Sequence, residues 1–357
     1  MVNVIDADGH VEESVAMFSR LEPEFQPRRP LALQFDKDTA YGRYNAVWLI
    51  DGEVYPKVIG RGGIFLGTPT LMERAQMKPV SIPAQELTDV GARLRDLDAA
   101  GIDKQVVYPT LFLTTTTEDL KLESAFYRVY NDFMGEARET SGGRVNFAAL
   151  VPIRDVQASI AELLRAKSLG AVAVMLLGMA WDKSLDHEDL CPFYEEAARL
   201  DLPVCLHFGW GNPGMTNLFE AGHSFNSATL PVLMGARSVL GSGVLEDIPN
   251  LRFAILETGS QWLPWMLHQI HRSGRLRRDP VEYFREGRVY VACEADEDIN
   301  YLANVVGEDC FVVASDYPHG DPSHEDNLRG AIMAREDVPL RIREKILGEN
   351  PSRLYGL

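Results

Sequence analysis

The sequence is poor in the residues that would place it in several large functional classes. It has only four cysteines in 357 residues, none in a Cys-x-x-Cys pair, so neither a disulfide framework nor a cysteine-ligated zinc site is expected. Lysine and arginine total 35 against 52 aspartates and glutamates, which gives a net charge of −17. Such an acidic surface repels phosphate backbones and anionic lipids, so nucleic acid and membranes are poor partners.

Long apolar runs and nucleotide-binding motifs are also missing. No stretch reaches the roughly 18 apolar residues of a membrane span, and the N-terminus lacks a basic segment followed by an apolar one. We therefore expect a cytoplasmic protein. Gly-x-x-x-x-Gly-Lys-Ser/Thr and Gly-x-Ser-x-Gly are absent, as is Gly-x-Gly-x-x-Gly followed by a suitable acidic residue, so nothing supports a nucleotide cofactor or a serine hydrolase.

Short apolar segments alternate with helical patterns along the chain. Strands are predicted at 2–8, 104–109, 145–151, 171–177, 202–207, 252–257, 288–294 and 310–315. Helices are predicted at 87–100, 119–141, 155–169, 188–200, 228–246, 262–274, 297–305, 323–334 and 339–347. Eight strands separated by helices predict an α/β fold, a (β/α)8 TIM barrel forming a single domain over 1–357.

Residues 14–86 are too many for one strand–helix unit and predict an insertion after the first strand. Within it, residues 46–55 have the pattern of a hairpin that turns at Asp51-Gly52. We expect the insertion to cover the mouth of the barrel; the alternative is a peripheral decoration far from the active site.

Five polar residues stand where short apolar segments end, and they predict a metal site. In a barrel of this type the active site lies at the carboxyl ends of the strands, so these side chains are expected to converge. Asp8 and His10 are two apart and therefore point to the same face of a strand. Imidazole and carboxylate groups suit zinc, iron or manganese. The five candidate ligands are Asp8, His10, His207, Glu257 and Asp316.

The chain resembles the amidohydrolase-related family, the branch of the amidohydrolase superfamily that includes aminocarboxymuconate-semialdehyde decarboxylase-like enzymes. The resemblance covers nearly the whole chain, and the order and spacing of its motifs are typical of that family. The motifs are Asp6-Ala7-Asp8-Gly9-His10, Arg93-Leu94-Arg95-Asp96-Leu97-Asp98-Ala99-Ala100-Gly101-Ile102-Asp103, Leu206-His207, Glu257-Thr258-Gly259-Ser260-Gln261-Trp262-Leu263-Pro264, Ser315-Asp316-Tyr317-Pro318-His319 and Ile346-Leu347-Gly348-Glu349-Asn350-Pro351-Ser352-Arg353-Leu354-Tyr355.

Two positions depart from what the resemblance implies. Decarboxylases and hydrolases of the family usually carry His-x-His on strand 1 and a histidine on strand 6, whereas this chain has Asp8 and Glu257. Both changes add a carboxylate, which can bridge two metals and favours harder ions. The site is similar in this respect to a small set of family members that are non-haem dinuclear iron or manganese–iron oxygenases. We therefore predict O2-dependent hydroxylation of a small organic molecule by two Fe ions or an Mn/Fe pair.

Further residues are candidates for roles around this centre. Glu13 and His268 are predicted as additional metal ligands; the alternatives are a solvated or capping carboxylate and a helix-packing histidine. His319 follows Asp316 closely, and the two are predicted to be catalytic, with His319 managing protons. His223, Trp210 and Trp262 are weaker candidates for substrate contact.

Two other interpretations stay open at this point. One is a mononuclear zinc or manganese hydrolase or non-oxidative decarboxylase, in which Asp316 acts as general base. The other is a catalytically silent barrel that partners an active paralogous subunit. Hydroxylation would require an external electron donor, since the chain has no flavin or iron–sulfur motif, and the family resemblance implies a homodimer.

Overall fold

The predicted alternation of strands and helices is present in the folded chain. The computed structural model describes residues 3–34, 46–57, 64–65, 78–79, 81–210, 228–274, 276–320 and 323–357. In chain order the strands within these ranges are β1 (Ile5–Val11), β2 (Leu31–Gln34), β3 (Ala46–Ile50), β4 (Glu53–Pro56), β5 (Ile64–Phe65), β6 (Lys78–Pro79), β7 (Lys104–Pro109), β8 (Val145–Ala149), β9 (Ala173–Leu176), β10 (Val204–Leu206), β11 (Phe253–Ile255), β12 (Val289–Ala292) and β13 (Phe311–Val312).

Eight of these described strands form one parallel sheet in the order β1, then β7 to β13. Each strand pairs with the next one along the chain, which is the topology of a (β/α)8 barrel. The segment that follows β13 closes the ring against β1. There the Ala7 amide donates to the Val313 carbonyl at 3.1 Å, and the Asp316 amide donates to the Asp8 carbonyl at 3.0 Å. The predicted TIM barrel is confirmed.

Helices connect the strands and form the outer layer. They are α1 (Val15–Phe18), α2 (Ile82–Gln85), α3 (Val90–Ala100), α4 (Leu120–Thr140), α5 (Val156–Ser168), α6 (Cys191–Arg199), α7 (Leu230–Leu240), α8 (Val244–Asp247), α9 (Leu263–Ser273), α10 (Val281–Arg285), α11 (Ile299–Val306), α12 (Leu328–Met333), α13 (Leu340–Glu344) and α14 (Asn350–Tyr355). Asp89, Asp119 and Asp155 cap α3, α4 and α5 by accepting hydrogen bonds from first-turn amides. In the described residues no helix is long and apolar enough to cross a membrane.

The first barrel strand differs from its prediction in a way that shapes the site. It was expected at 2–8 but extends over Ile5–Val11, so the acidic and imidazole residues lie inside it. Its register against β7 shifts between Asp6 and Gly9, where β1 carries one extra residue. Such bulges re-aim side chains and are common beside active sites.

The segment 14–86 contributes two small antiparallel sheets, β2–β3–β4 and β5–β6. The predicted hairpin is confirmed: β3 and β4 pair, and Asp51 and Gly52 between them have φ of 51° and 89°, as a tight hairpin turn requires. Trp48 of β3 is buried and packs edge-on against Phe18 at 5.4 Å. Residues 35–45, 58–63, 66–77 and 80 lie outside the described residues, so coverage of the barrel mouth stays a prediction.

Candidate metal centre

The five predicted ligands all lie at the carboxyl ends of the barrel strands. Asp8 and His10 belong to β1, His207 follows β10, Glu257 comes two residues after β11, and Asp316 comes four residues after β13. Glu257 and Asp316 have left-handed backbones, with φ of 52° and 54°. A non-glycine residue in this region costs on the order of 1–3 kcal/mol and recurs at functional sites, where the backbone is held so that a side chain points correctly.

Four of these residues form a first metal-binding group. Their donor atoms lie within 4.8 Å of one another in Asp8, His10, His207 and Glu257. His207 Nε2 is 3.1 Å from Asp8 Oδ2, and His10 Nε2 is 3.5 Å from Asp8 Oδ1. His207 Nδ1 is 3.4 Å from Glu257 Oε2. The two separations from Asp8 match the roughly 3.0–3.5 Å edges expected between ligands held about 2.0–2.2 Å from one metal ion, whereas Glu257 lies beside the other nitrogen of His207.

A second group shares His10 and consists of His10, Asp316 and His319. Asp316 Oδ1 lies 3.3 Å from His10 Nε2 and 2.8 Å from His319 Nδ1. The two imidazoles stack with ring centroids 4.1 Å apart. His319 also reaches the Thr110 hydroxyl, 3.0 Å from its Nε2. The structure therefore joins His319 to Asp316, and the pair lies directly against the first group.

The hydrogen bonds of the two first-group imidazoles leave the right nitrogens for a metal. His10 Nδ1 donates to the Pro109 carbonyl at 2.8 Å, and His207 Nδ1 lies 2.9 Å from the Phe208 carbonyl. This tautomer leaves a lone pair on each Nε2. His10 is fully buried, and its Nε2 has no hydrogen-bond partner among the described residues. Burial lowers the pKa of His10 well below its ordinary value, and the neighbouring imidazoles of His319 and His207 lower it further. His10 is therefore neutral.

A cation is the group that fits between these atoms. His207 Nε2 lies 3.1 Å from Asp8 Oδ2. When Nδ1 carries the only ring proton, these two atoms are both acceptors and repel unless a positive charge lies between them. Neutral imidazole and carboxylate donors are those that divalent transition metals prefer. The donor set therefore fits a divalent metal ion.

A buried polar network holds the ends of β1 and β13 together beneath the ligands. The Ser315 amide and hydroxyl donate to Asp6 at 2.8 and 2.5 Å, and Gln105 Nε2 donates to the same carboxylate at 2.7 Å. Burial raises the pKa of Asp6 to about 6, although these hydrogen bonds oppose the shift. Arg93 donates to Gln105 Oε1 and to the His10 carbonyl, both at 2.7 Å. The guanidinium thus fixes the backbone of His10, a candidate metal ligand.

Arg93, Gln105 and Ser315 are not among the site residues predicted from the sequence. Gln105 carries a detectable signal, because it is a buried polar residue directly before the apolar residues Val106 and Val107 of a barrel strand. Arg93 and Ser315 belong to motifs quoted for the family resemblance, without an assigned role.

The remaining predicted residues are dispersed. Glu13 is buried and accepts from the Leu111 amide at 2.8 Å, and burial raises its pKa to about 8, but it belongs to neither metal group. His268 is exposed on α9 and also belongs to neither group. Trp210 and Trp262 are half-buried, and Trp262 Nε1 donates to the Gly259 carbonyl at 2.8 Å. His223 lies outside the described residues.

A cavity of about 260 Å³ opens beside the centre. Six of the described residues that line it are acidic, namely Asp8, Glu257, Glu294, Asp296, Asp316 and Glu325. Ser323 and His324 also line it, and the Ser323 hydroxyl donates to Asp316 Oδ2 at 3.1 Å. Asp316 therefore faces the cavity with its carboxylate held from two sides, by Ser323 and by His319.

Comparison with known proteins identifies the family. A family model described as amidohydrolase matches residues 84–357, so the chain belongs to the amidohydrolase family. It is 24% identical, over 75% of its length and 77% of the relative, to 2-amino-3-carboxymuconate-6-semialdehyde decarboxylase of Dictyostelium discoideum. A crystal structure of an amidohydrolase from Mycobacterium avium subsp. paratuberculosis K-10 matches with a TM-score of 0.82 and 19% identity, covering 100% of this chain and 98% of the other. A dihydroxybenzoic acid decarboxylase from Polaromonas sp. JS666, solved with bound manganese and the inhibitor 2-nitroresorcinol, matches with a TM-score of 0.63 and 22% identity, covering 74% and 85%.

These relatives correct one sequence prediction. O2-dependent hydroxylation is wrong as the main interpretation, because the relatives are decarboxylases, which is the alternative that the sequence left open. The prediction relied on the added carboxylates Asp8 and Glu257, but carboxylate content alone does not specify a metal that activates O2. The iron pair and the external electron donor were inferred from hydroxylation and lose their basis with it.

Proposed function

We propose that this amidohydrolase-family enzyme is a divalent-metal-dependent, non-oxidative decarboxylase of a small carboxylate, and that aromatic carboxylates are its first candidate substrates. The observation that carries the proposal is the convergence of the predicted ligands beside one cavity, which Asp8, Glu257 and Asp316 line. The chain's relative over three quarters of its length is a decarboxylase. A cavity of about 260 Å³ suits a small molecule rather than a polymer.

Asp8, His10, His207 and Glu257 are the residues that would hold the metal, with Asp316 adjoining them through His10. A divalent cation bound there supplies the positive charge that attracts and orients the substrate carboxylate. Manganese is our preferred ion, because the Polaromonas decarboxylase was solved with manganese bound, and zinc is the alternative.

The reaction breaks the carbon–carbon bond to the carboxylate, releases CO2 and forms a carbon–hydrogen bond at the same carbon, so one proton must be delivered there. Asp316 is the residue we assign to this delivery, because it lines the cavity and is fixed by the His319 imidazole at 2.8 Å and the Ser323 hydroxyl at 3.1 Å. It would enter the step as the carboxylic acid, lose its proton to the carbon and be left as the carboxylate. A proton donor held in this way contributes roughly 10²–10⁴-fold to the rate.

The carboxylates at positions 8 and 257 give this chain a more negative centre than a histidine-rich one. Glu257 lies beside His207 Nδ1 at 3.4 Å, so it is placed to bind the metal and to orient that imidazole. We infer that the extra negative charge would tighten binding of a cation, whose charge would in turn offset repulsion of an anionic substrate by these carboxylates.

The test is CO2 release from hydroxybenzoates and related carboxylates by manganese-loaded and zinc-loaded enzyme, run in air and under argon. We expect metal-dependent release at the same rate in both atmospheres, and loss of most activity in Asp316→Asn with metal content retained. His271→Ala, which changes an exposed imidazole on α9, is the matched control and is expected to behave as wild type. No CO2 release across the panel, or release only in air, would overturn the proposal.

A further inference from the structure

A carboxylate from the loop after β12 holds the segment that follows Glu257. Glu297 Oε1 accepts from the Ser260 amide at 2.6 Å and from the Gln261 amide at 3.0 Å. Glu297 Oε2 accepts from the Ser260 hydroxyl at 2.5 Å. Ser260 is completely buried, so its polar groups need partners within the protein. One side chain thus fixes three hydrogen-bond donors of the segment that leads from β11 into α9.

The backbone of this segment turns through an unfavourable conformation beside Glu297. Glu257 and Gly259 are both left-handed, with φ of 52° and 60°. A non-glycine residue such as Glu257 keeps this conformation only where the surrounding structure fixes it. A Cβ at position 259 would lie 2.7 Å from Glu297 Oε1, so the carboxylate passes directly over the glycine. Glu297 therefore fixes the backbone two to four residues after Glu257.

The loop that carries Glu297 is itself anchored. Glu297 Oε2 accepts from the Glu294 amide at 3.0 Å within the same loop. Arg335, from the connection between α12 and α13, donates to the Glu297 carbonyl at 2.8 Å and also to the Ala295 carbonyl. The support for the segment after β11 is therefore fixed from its far side.

We propose that Glu297 is a positioning residue for the candidate metal centre. By fixing Ser260 and Gln261, it keeps Glu257 in the conformation that places Glu257 Oε2 3.4 Å from His207 Nδ1 and within the first metal-binding group. Glu297 belongs to neither metal-binding group, so its effect on a bound cation passes through Glu257. The inference rests on the proposed function in taking the first group as the site of the divalent cation.

The test is a double-mutant cycle in which the metal-free protein is titrated with manganese in a calorimeter. We expect Glu297→Ala to weaken manganese binding by about tenfold, as loss of a partner that orients a ligand typically does. In the background of Glu257→Gln the same change should weaken binding by about twofold or less, because the carboxylate that Glu297 positions is then absent. Glu297→Gln should recover part of the lost affinity, since its side-chain carbonyl can still accept from both amides.

Asp298→Ala is the matched control for a merely structural role. Asp298 is the next carboxylate in the chain and also accepts from a backbone amide, that of Tyr301 at 3.1 Å, but it caps its own helix α11. Urea unfolding should show that Glu297→Ala and Asp298→Ala both lose stability, whereas manganese affinity falls only in Glu297→Ala. If Glu297→Ala does not fold, Glu297→Gln takes its place in the cycle.

Three outcomes overturn the role of Glu297: manganese affinity unchanged by its substitution, an equal loss in both Glu257 backgrounds, or an equal loss in Asp298→Ala. The cycle is measured without substrate, so it is independent of turnover. The expected coupling without CO2 release from any carboxylate leaves Glu297 in its role and refutes decarboxylation. CO2 release without coupling refutes only the role of Glu297.

Discussion

Replacing Arg93 with methionine is the most direct test of the buried polar network that lies beneath the candidate metal centre. The guanidinium is completely buried, lies over the Tyr317 ring at 4.3 Å, and makes its two shortest hydrogen bonds to Gln105 Oε1 and the His10 carbonyl, both at 2.7 Å. A hydrogen bond from a charged donor stabilises by roughly 1.5–3 kcal/mol, so losing these two should cost about 3–6 kcal/mol of unfolding free energy. Because one of them fixes the backbone of the candidate ligand His10, manganese affinity should also fall by roughly 10–100-fold.

Urea unfolding of the metal-free protein and calorimetric titration with manganese measure the two effects separately. Arg93→Lys is the informative companion, because lysine keeps the charge but cannot span two acceptors as the planar guanidinium does. We expect the lysine variant to recover only a minor part of the stability and of the metal affinity. A methionine variant with unchanged metal affinity, or a lysine variant equal to wild type, would refute the argument that the fork geometry of Arg93 positions His10.

Two further predictions concern single residues of the site. His207→Ala is expected to lose bound metal and activity while keeping the circular dichroism of a folded barrel, and metal retained at full occupancy would overturn the assignment of His207 as a ligand. Burial raises the pKa of folded Glu13 from its ordinary 4.5 to about 8, so the folded state binds the proton more tightly than the unfolded state does. That contribution to stability is complete below pH 4.5 and disappears as the pH rises through 8. Between about pH 5 and pH 8, the unfolding free energy of Glu13→Gln should therefore fall less than that of the wild-type protein, as measured by urea unfolding at both pH values. Equal decreases in the two proteins would contradict a buried, protonated Glu13.

The barrel, and the convergence of the candidate metal ligands at one of its ends, can be predicted from the sequence because both follow from short-range rules. Alternation along a strand places Asp8 and His10 on one side, and the carboxyl ends of parallel strands bring His207, Glu257 and Asp316 to the same end of the barrel. The ends of strands and helices are less well predicted, because the residues beyond a strand often keep an extended backbone without pairing.

Contacts that depend on packing between elements far apart in the chain cannot be predicted from the sequence. Arg93 lies on α3 and Gln105 on β7. Their hydrogen bonds to His10 and Asp6 depend on how α3 packs against the barrel. The same uncertainty affects His268, because its position along α9 does not specify which face of the helix turns to solvent. Gly9 shows the packing most directly: a Cβ there would lie 2.3 Å from Gln105 Nε2, so the bulge of β1 leaves room for the amide only because the residue is glycine.

The reaction class could not be predicted from the ligands, because a carboxylate in such a site has several possible roles that look alike in a sequence. Glu257 lies against the imidazole of His207, whereas Asp316 is held by His319 and faces the cavity. Counting both carboxylates as metal ligands beside Asp8 favours two high-valent ions and O2 chemistry. Separating them by position leaves one compact donor group and one carboxyl group that faces the cavity. In the proposed decarboxylase the donor group would hold the cation and Asp316 would deliver the proton, so the same residues fit a reaction that needs no O2.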